Sequence, residues 1–225
     1  MIPGLSPLSL STGYILAGLL SCDPQTAPTV TLQFQNAPLQ INNTRSSSDL
    51  ARMKTHTLSP QYGAEFPVVG GATSSDLQIK YNAEFMTSSA LSSDSVCLWA
   101  KAINITVIYA PVIYISSDYK PGSCQYSLTE EHERLHVNID IITLNEFLPY
   151  IRREAENAVS AWRGTGPVGK NQTESNQEAL LKPVADALGK VTSHLQRTRS
   201  LRQQQVDSRS EYRYVSSACR KKDSR

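Results

Sequence analysis

At 225 residues, with a formal net charge of +2 and a pI near 8.3, the chain is long enough to bury one substantial core. It is too mildly basic to hold nucleic acid through an extended positive surface. Its basic residues are dispersed except at Arg220, Lys221, Lys222 and Arg225, a tail over 219–225 that reads as a solvated end, so no nucleic-acid partner is expected.

The N-terminus predicts export. Leu8 to Leu20 is mostly apolar or small, too short for a comfortable membrane span, and runs into Leu19-Leu20-Ser21-Cys22. That tetrad resembles a lipobox, whose cysteine becomes the lipidated first residue of the mature chain, and Asp23 resembles an inner-membrane retention signal. Residues 1–22 are therefore expected to be a lipoprotein signal with a lipid anchor at Cys22, or else an ordinary signal peptide. No Lys or Arg precedes Arg45 to supply a basic leader region. The expected location is the bacterial periplasm, free or anchored to the inner membrane.

Residues 27–218 read as one α+β domain, β-rich over 29–118 and helical over 126–206. The alternation from Thr29 to Asn42 predicts two short strands. Ser46 to Met53 predicts a short capped helix, and Thr55 to Ser75, with His56, a loop. A third strand is expected over Leu77 to Met86, followed by a serine-rich connection from Ser88 to Ser95. Trp99 to Ser116 carries the strongest β signal, a run of β-branched and aromatic residues best read as two strands turning at Ala110-Pro111. Such a hairpin would set Cys97 opposite Cys124, and their disulfide would close a loop worth about 3 to 4 kcal/mol. Of the four cysteines, Cys219 is then left over if Cys22 carries lipid, and Cys124 to Cys219 is the rival pairing.

After the turn at Pro121-Gly122 a helix is expected near Ser127, with Ser127 and Glu130 as a capping box. It carries His132-Glu133-Arg134-Leu135-His136. On a helix, residues four apart share a face one turn apart, so both imidazoles can close on one metal ion while Glu133 projects beside it. Zinc in such a site acts as a Lewis acid and acidifies a water, and the carboxylate can accept that water's proton. Downstream, Val137, Ile141, Leu144, Leu148, Ile151, Ala155, Ala158 and Trp162 alternate at four and three, a seam for another helix. Pro149 either kinks it or ends it, with a restart at Thr143 and Glu146. Val168 to Asn176 reads as a polar loop. A second helix from Glu178 repeats the seam at Leu181, Val184, Leu188, Val191 and Leu195, so an antiparallel helical hairpin is expected. His194 reads as structural or surface, and Arg197 to Gln205 as a solvated helix face.

The segment from Cys97 to Ala158 resembles the zincin superfamily of metallopeptidases, in particular bacterial secreted zinc-dependent protease families of unknown function. The resemblance implies His132 and His136 as zinc ligands and Glu133 as general base. It also implies a sheet above the helix whose edge strand, taken to be one of the two expected within Trp99 to Ser116, holds an extended peptide. No Gly-x-x-His follows His136 at the metzincin distance, so the third ligand must come from elsewhere. Asp140 lies one turn along the same helix, and Glu156 needs a chain reversal near Pro149. Asp207 and Glu211 are reachable, because two arms of 30 residues, about 45 Å each, bring the chain back to the motif. Related proteins also carry a C-terminal ligand motif, here most like Asp207 to Tyr212. Glu211 is the expected ligand, with Asp207 orienting a histidine N–H. The expected activity is zinc-dependent hydrolysis of a peptide or protein of the cell envelope, the alternative a non-catalytic envelope lipoprotein serving as a binding or scaffold module.

Overall fold

The computed structural model describes residues 22, 27–53, 69–89, 94–160, 162 and 164–219. In chain order the elements are β1 (Thr29–Asn36), β2 (Gln40–Asn42), α1 (Ser47–Leu50), β3 (Gly71–Ser89), β4 (Ser95–Ile115) and α2 (Cys124–Ser160). They are followed by β5 (Thr165–Gly169), a 3-10 turn (Lys170–Gln172), α3 (Thr173–Val206) and α4 (Arg209–Ala218). The architecture is mixed α/β, a five-stranded sheet with a long helix and a helical C-terminal part. Residues 1–21 of the expected export signal, His56, positions 90–93 and the tail at 220–225 lie outside the described residues.

The sheet is hung on β4. Along one edge it pairs antiparallel with β3, from Gly71 opposite Ile115 to Ser89 opposite Val96. Along the other it meets β5 antiparallel at Ser95 to Leu98, then β1 parallel at Ala102 to Tyr109, then β2 parallel at Val112 to Tyr114. The hairpin expected at Ala110-Pro111 is thus one continuous strand. The Ala37 N–H donates to the Tyr109 carbonyl at 2.8 Å, and peptide groups alternate edges along a strand, so the Pro111 nitrogen faces that same edge. It does so in the interval between β1 and β2, where the ladder needs no donor. β4 is therefore central, and the strand at the edge beside the motif helix is β3.

From Ile103 onward the odd positions of β4 face the core. Ile103, Ile105, Val107, Tyr109, Ile113 and Ile115 pack on Val137, Leu144, Ile151 and Ala155 of α2 and on Val184, Leu188 and Leu195 of α3. The even positions are half-exposed, as the period of two requires of a sheet covered on one face. Helix α1 is the expected short capped helix, and its cap is a capping box in which Ser46 and Asp49 satisfy each other's backbone N–H groups.

Helix α2 starts at Cys124, with the Ser123 hydroxyl accepting from the Tyr126 N–H at 3.2 Å in place of the expected cap at Ser127. It runs unbroken through Pro149. Leu144 and Phe147 before the proline and Ile151 and Ala155 after it are buried in one cluster, and that packing outweighs the lost hydrogen bond. Helix α3 begins before Glu178 because Val168 to Asn176 is ordered as the end of β5, the 3-10 turn and the first turn of α3. Along the contact, His136 meets Gln203, Asp140 meets Arg199 and Phe147 meets His194, so partner numbers fall on α3 as they rise on α2. His194 packs edge-on against Phe147 at 5.1 Å, a structural place.

Disulfides join Cys22 to Cys97 and Cys124 to Cys219. The Cys97–Cys124 pairing fails because β4 is one strand: Cys97 and Ile115 sit at its two ends, roughly 60 Å apart at about 3.3 Å per residue, far beyond disulfide reach. The sulfur of Cys22 is bonded to Cys97 and so is not a lipid attachment point here. Among the described residues no helix is long and apolar enough to cross a membrane.

Candidate metal centre

His132 and His136 lie on the face of α2 turned toward the end of α3, and both are buried. Their Nε2 atoms are 3.2 Å apart. Asp207, the residue at which α3 ends, brings one oxygen to both rings: Oδ1 stands 3.3 Å from His132 Nε2 and 3.1 Å from His136 Nε2. Bonds of about 2.0 Å in tetrahedral geometry set ligand atoms about 3.3 Å apart, so this triangle has the dimensions of one face of a zinc site. His132, His136 and Asp207 are the group of three such side chains able to hold a metal ion among the described residues.

The two C-terminal carboxylates stand in the reverse of the positions expected of them, Asp207 at the Nε2 atoms and Glu211 beside His132 Nδ1. Glu211 sits one turn into α4, and its Oε1 lies 3.6 Å from His132 Nδ1, the ring atom turned away from the triangle. The cause is the break between α3 and α4. Ser208 leaves the helix in an extended conformation and caps α4 by accepting from the Glu211 N–H at 3.3 Å, which leaves Asp207 alone at the end of α3 pointing at Nε2. His132 Nδ1 is buried with no hydrogen-bond partner among the described residues; the carboxylate beside it is the acceptor that a metal-bound imidazole would use to orient its N–H. Asp140 is committed to a buried ion pair with Arg199, and Glu156 is exposed on the far part of the continuous α2, so neither reaches the triangle.

The His136 ring is oriented by a buried chain of polar groups. Its Nδ1 hydrogen-bonds Gln203 Oε1, and Gln203 Nε2 donates to the His136 carbonyl at 3.0 Å and to Asp140 Oδ1 at 2.7 Å. Because the Gln203 oxygen can only accept, Nδ1 keeps its proton in either charge state, and Nε2 is the atom that would present a lone pair to a metal once it gives up the proton it shares with Asp207. Asp140 receives two Arg199 nitrogens, at 3.0 and 2.5 Å, and the Tyr109 hydroxyl at 3.1 Å. Arg199 also donates to Ser75 Oγ at 2.8 Å, which ties the chain to β3. Arg199 and Gln203, expected on a solvated face, are buried. A signal for them was present: the apolar seam of α3 continues past Leu195 in steps of four as Arg199, Gln203 and Asp207, and a seam that turns polar while remaining buried must be satisfied by partners.

Glu133 is 4% exposed and lies under the start of β3. The Thr73 hydroxyl donates to its Oε2 at 2.8 Å. Gly70 and Gly71 make this approach possible, since a Cβ on Gly71 would stand 2.5 Å from the Thr129 methyl and 2.7 Å from Glu133 Oε1. Burial pushes the Glu133 carboxyl up, and the two histidines and Thr73 offset that only in part. Burial pulls His136 down, but Asp207, Glu133 and Gln203 outweigh it and raise the metal-free imidazole to about 9. Burial acts to raise Asp207, yet its bonds to both histidines hold it well below the usual carboxylate range. Tyr212, on α4, donates to the same Asp207 oxygen at 3.3 Å, and burial together with that carboxylate keeps its hydroxyl protonated.

No family model, no curated protein and no solved structure matches this chain.

Proposed function

We propose that the protein is an exported zinc-dependent peptidase of the zincin-like kind, with His132, His136 and Asp207 as metal ligands and Glu133 as general base. One observation carries the reading: three ligand atoms meet in a triangle of zinc dimensions with a buried carboxylate on the residue next to one of them. Zinc, when bound, supplies Lewis acidity that polarises a carbonyl and acidifies a water. Glu133 takes the proton of the attacking water and hands it to the departing amine, and its raised pKa suits a group that must do both. Gln203 and Glu211 orient the two imidazoles, and Tyr212 steadies the ligating carboxylate.

The substrate we assign is an extended peptide of the cell envelope. β3 pairs with β4 along one edge only among the described residues, and its start lies over Glu133, so a peptide added as a strand to its free edge runs past the base. The reversed order of contacts between α2 and α3 supports an antiparallel helical hairpin as the frame that returns Asp207 to the motif. Two disulfides support an oxidising compartment such as the periplasm.

The test pairs metal analysis with hydrolysis of a fluorogenic peptide library. Wild type should hold close to one zinc per chain and cleave a subset of peptides, and Glu133→Gln should keep the zinc and lose cleavage. A Glu133→Gln protein that cleaves at the wild-type rate would refute the base assignment, and a His132→Ala/His136→Ala protein with undiminished zinc would refute the metal site.

A further inference from the structure

We infer that Thr73 is a positioning residue for the general base, and that the start of β3 exists in its glycine-rich form to let it act. The inference rests on the peptidase reading for the role of Glu133, and on independent geometry for the rest.

The Thr73 Oγ1 lies 2.8 Å from Glu133 Oε2 and 3.1 Å from the Glu133 backbone carbonyl. One hydroxyl therefore grips the side chain and the main chain of the same residue. Its single proton is shared between the two acceptors, chiefly with the nearer carboxylate oxygen, and the weaker arm to the carbonyl fixes the hydroxyl relative to the helix axis. A glutamate side chain has three rotatable bonds before its carboxylate plane is set, and a donor fixed to the helix removes that freedom. Among the described residues this is the hydrogen bond that the Glu133 carboxylate makes.

The donor is itself immobile. Thr73 pairs with Ile113 in the antiparallel ladder between β3 and β4, and Ile113 belongs to the core. Two residues earlier on the same face, Gly71 lies against Glu133 Oε1, where any Cβ would come within 2.7 Å. Alternate residues of one strand thus treat the two carboxylate oxygens differently. Thr73 holds Oε2, and the missing side chain at Gly71 keeps the space at Oε1 clear. Oε1 is the oxygen left to take the proton.

A threonine whose only task was to satisfy packing would be replaced without loss by valine, which has the same shape. A positioning hydroxyl is kept by serine and lost by valine. The experiment compares Thr73→Val, Thr73→Ser, Glu133→Gln and wild type by zinc content, steady-state cleavage of a peptide that wild type turns over, and crystal structures of the metal-free proteins. Thr73→Val should keep its zinc and its KM within about twofold and lose about 10- to 100-fold in kcat, the scale of a misplaced catalytic group. Thr73→Ser should recover most of that loss. In the metal-free Thr73→Val crystal the Glu133 carboxylate should leave the place it holds in wild type, a readout that needs no turnover. An unmoved carboxylate in that crystal overturns the inference, as does unchanged kcat in Thr73→Val or equal losses in the serine and valine variants. Failure of the peptidase reading looks different: Glu133→Gln then cleaves as wild type does, whatever Thr73 does.

Discussion

Asp207 Oδ1 stands 3.1 Å from His136 Nε2 across 71 residues of sequence, and this contact closes the triangle of candidate ligand atoms. It predicts an order of effects among the acidic residues. Asp207→Ala should abolish tight zinc binding, whereas Glu211→Ala should weaken it by about 10- to 100-fold, the usual cost of losing a group that orients a ligand. Isothermal titration with zinc and a competing chelator would rank them; a larger loss in Glu211→Ala would return the ligand role to that residue.

Gln203 should matter for metal without touching it. Replacing it by leucine removes the acceptor for His136 Nδ1 and leaves Asp140 one donor short. Zinc affinity should fall by about 10- to 100-fold while far-ultraviolet circular dichroism stays unchanged. Gln203→Glu, which keeps an acceptor at that place, should lose less.

The Arg199 and Asp140 pair is buried, with side chains 5% and 3% exposed. Removing one partner strands the other charge, so Arg199→Met should cost about 3 to 5 kcal/mol by urea denaturation. Arg199→Met combined with Asp140→Asn should recover part of that loss, because no bare charge remains.

α4 is tied to α2 at both ends. Asp207, just before it, contacts His132 and His136, and Cys219, just after it, is bonded to Cys124 at the start of α2. No described side chain of α4 itself is buried, so the arm carrying Glu211 and Tyr212 depends on both ends. Replacing Cys124 and Cys219 by serine should reduce zinc affinity at least tenfold, and replacing Cys22 and Cys97 should reduce it much less. Coupling between the two ends is reciprocal, so bound zinc should slow reduction of Cys124–Cys219 by a dithiol. Equal zinc affinity in both double variants would show the clasp to be irrelevant to the site.

The metal-free protein should have a stability maximum in mildly acidic solution from the His136 and Asp207 pair. His136 is raised from about 6.5 to about 9, so its contribution is complete below about pH 6.5 and is lost as pH rises through about 9. Asp207 is lowered, so its contribution is complete above about pH 4 and is lost as pH falls below that. Melting temperatures of chelator-treated protein from pH 3 to pH 10 should fall at both ends, and Asp207→Asn should flatten the profile.

Much of this was legible in the order of residues. His132 and His136 share a helix face, with Glu133 beside it, because periodicity alone puts them there, and the seams of α2 and α3 follow from local spacing in the same way. The return of the chain to the motif followed from counting residues at a fixed rise. What the sequence could not decide was everything that depends on where a chain breaks and what lies across from it. Pro111 signals a turn by itself, yet it sits in a continuous strand because the neighbouring strands leave a gap opposite its nitrogen. Asp207 and Glu211 carry the same functional group four positions apart, and only the extended residue at Ser208 determines which faces Nε2 and which faces Nδ1. Cysteine pairing likewise waited on β4 being a single strand. Local periodicity is a property of the backbone, readable from residue spacing, whereas partner choice is a competition among distant groups that only packing resolves.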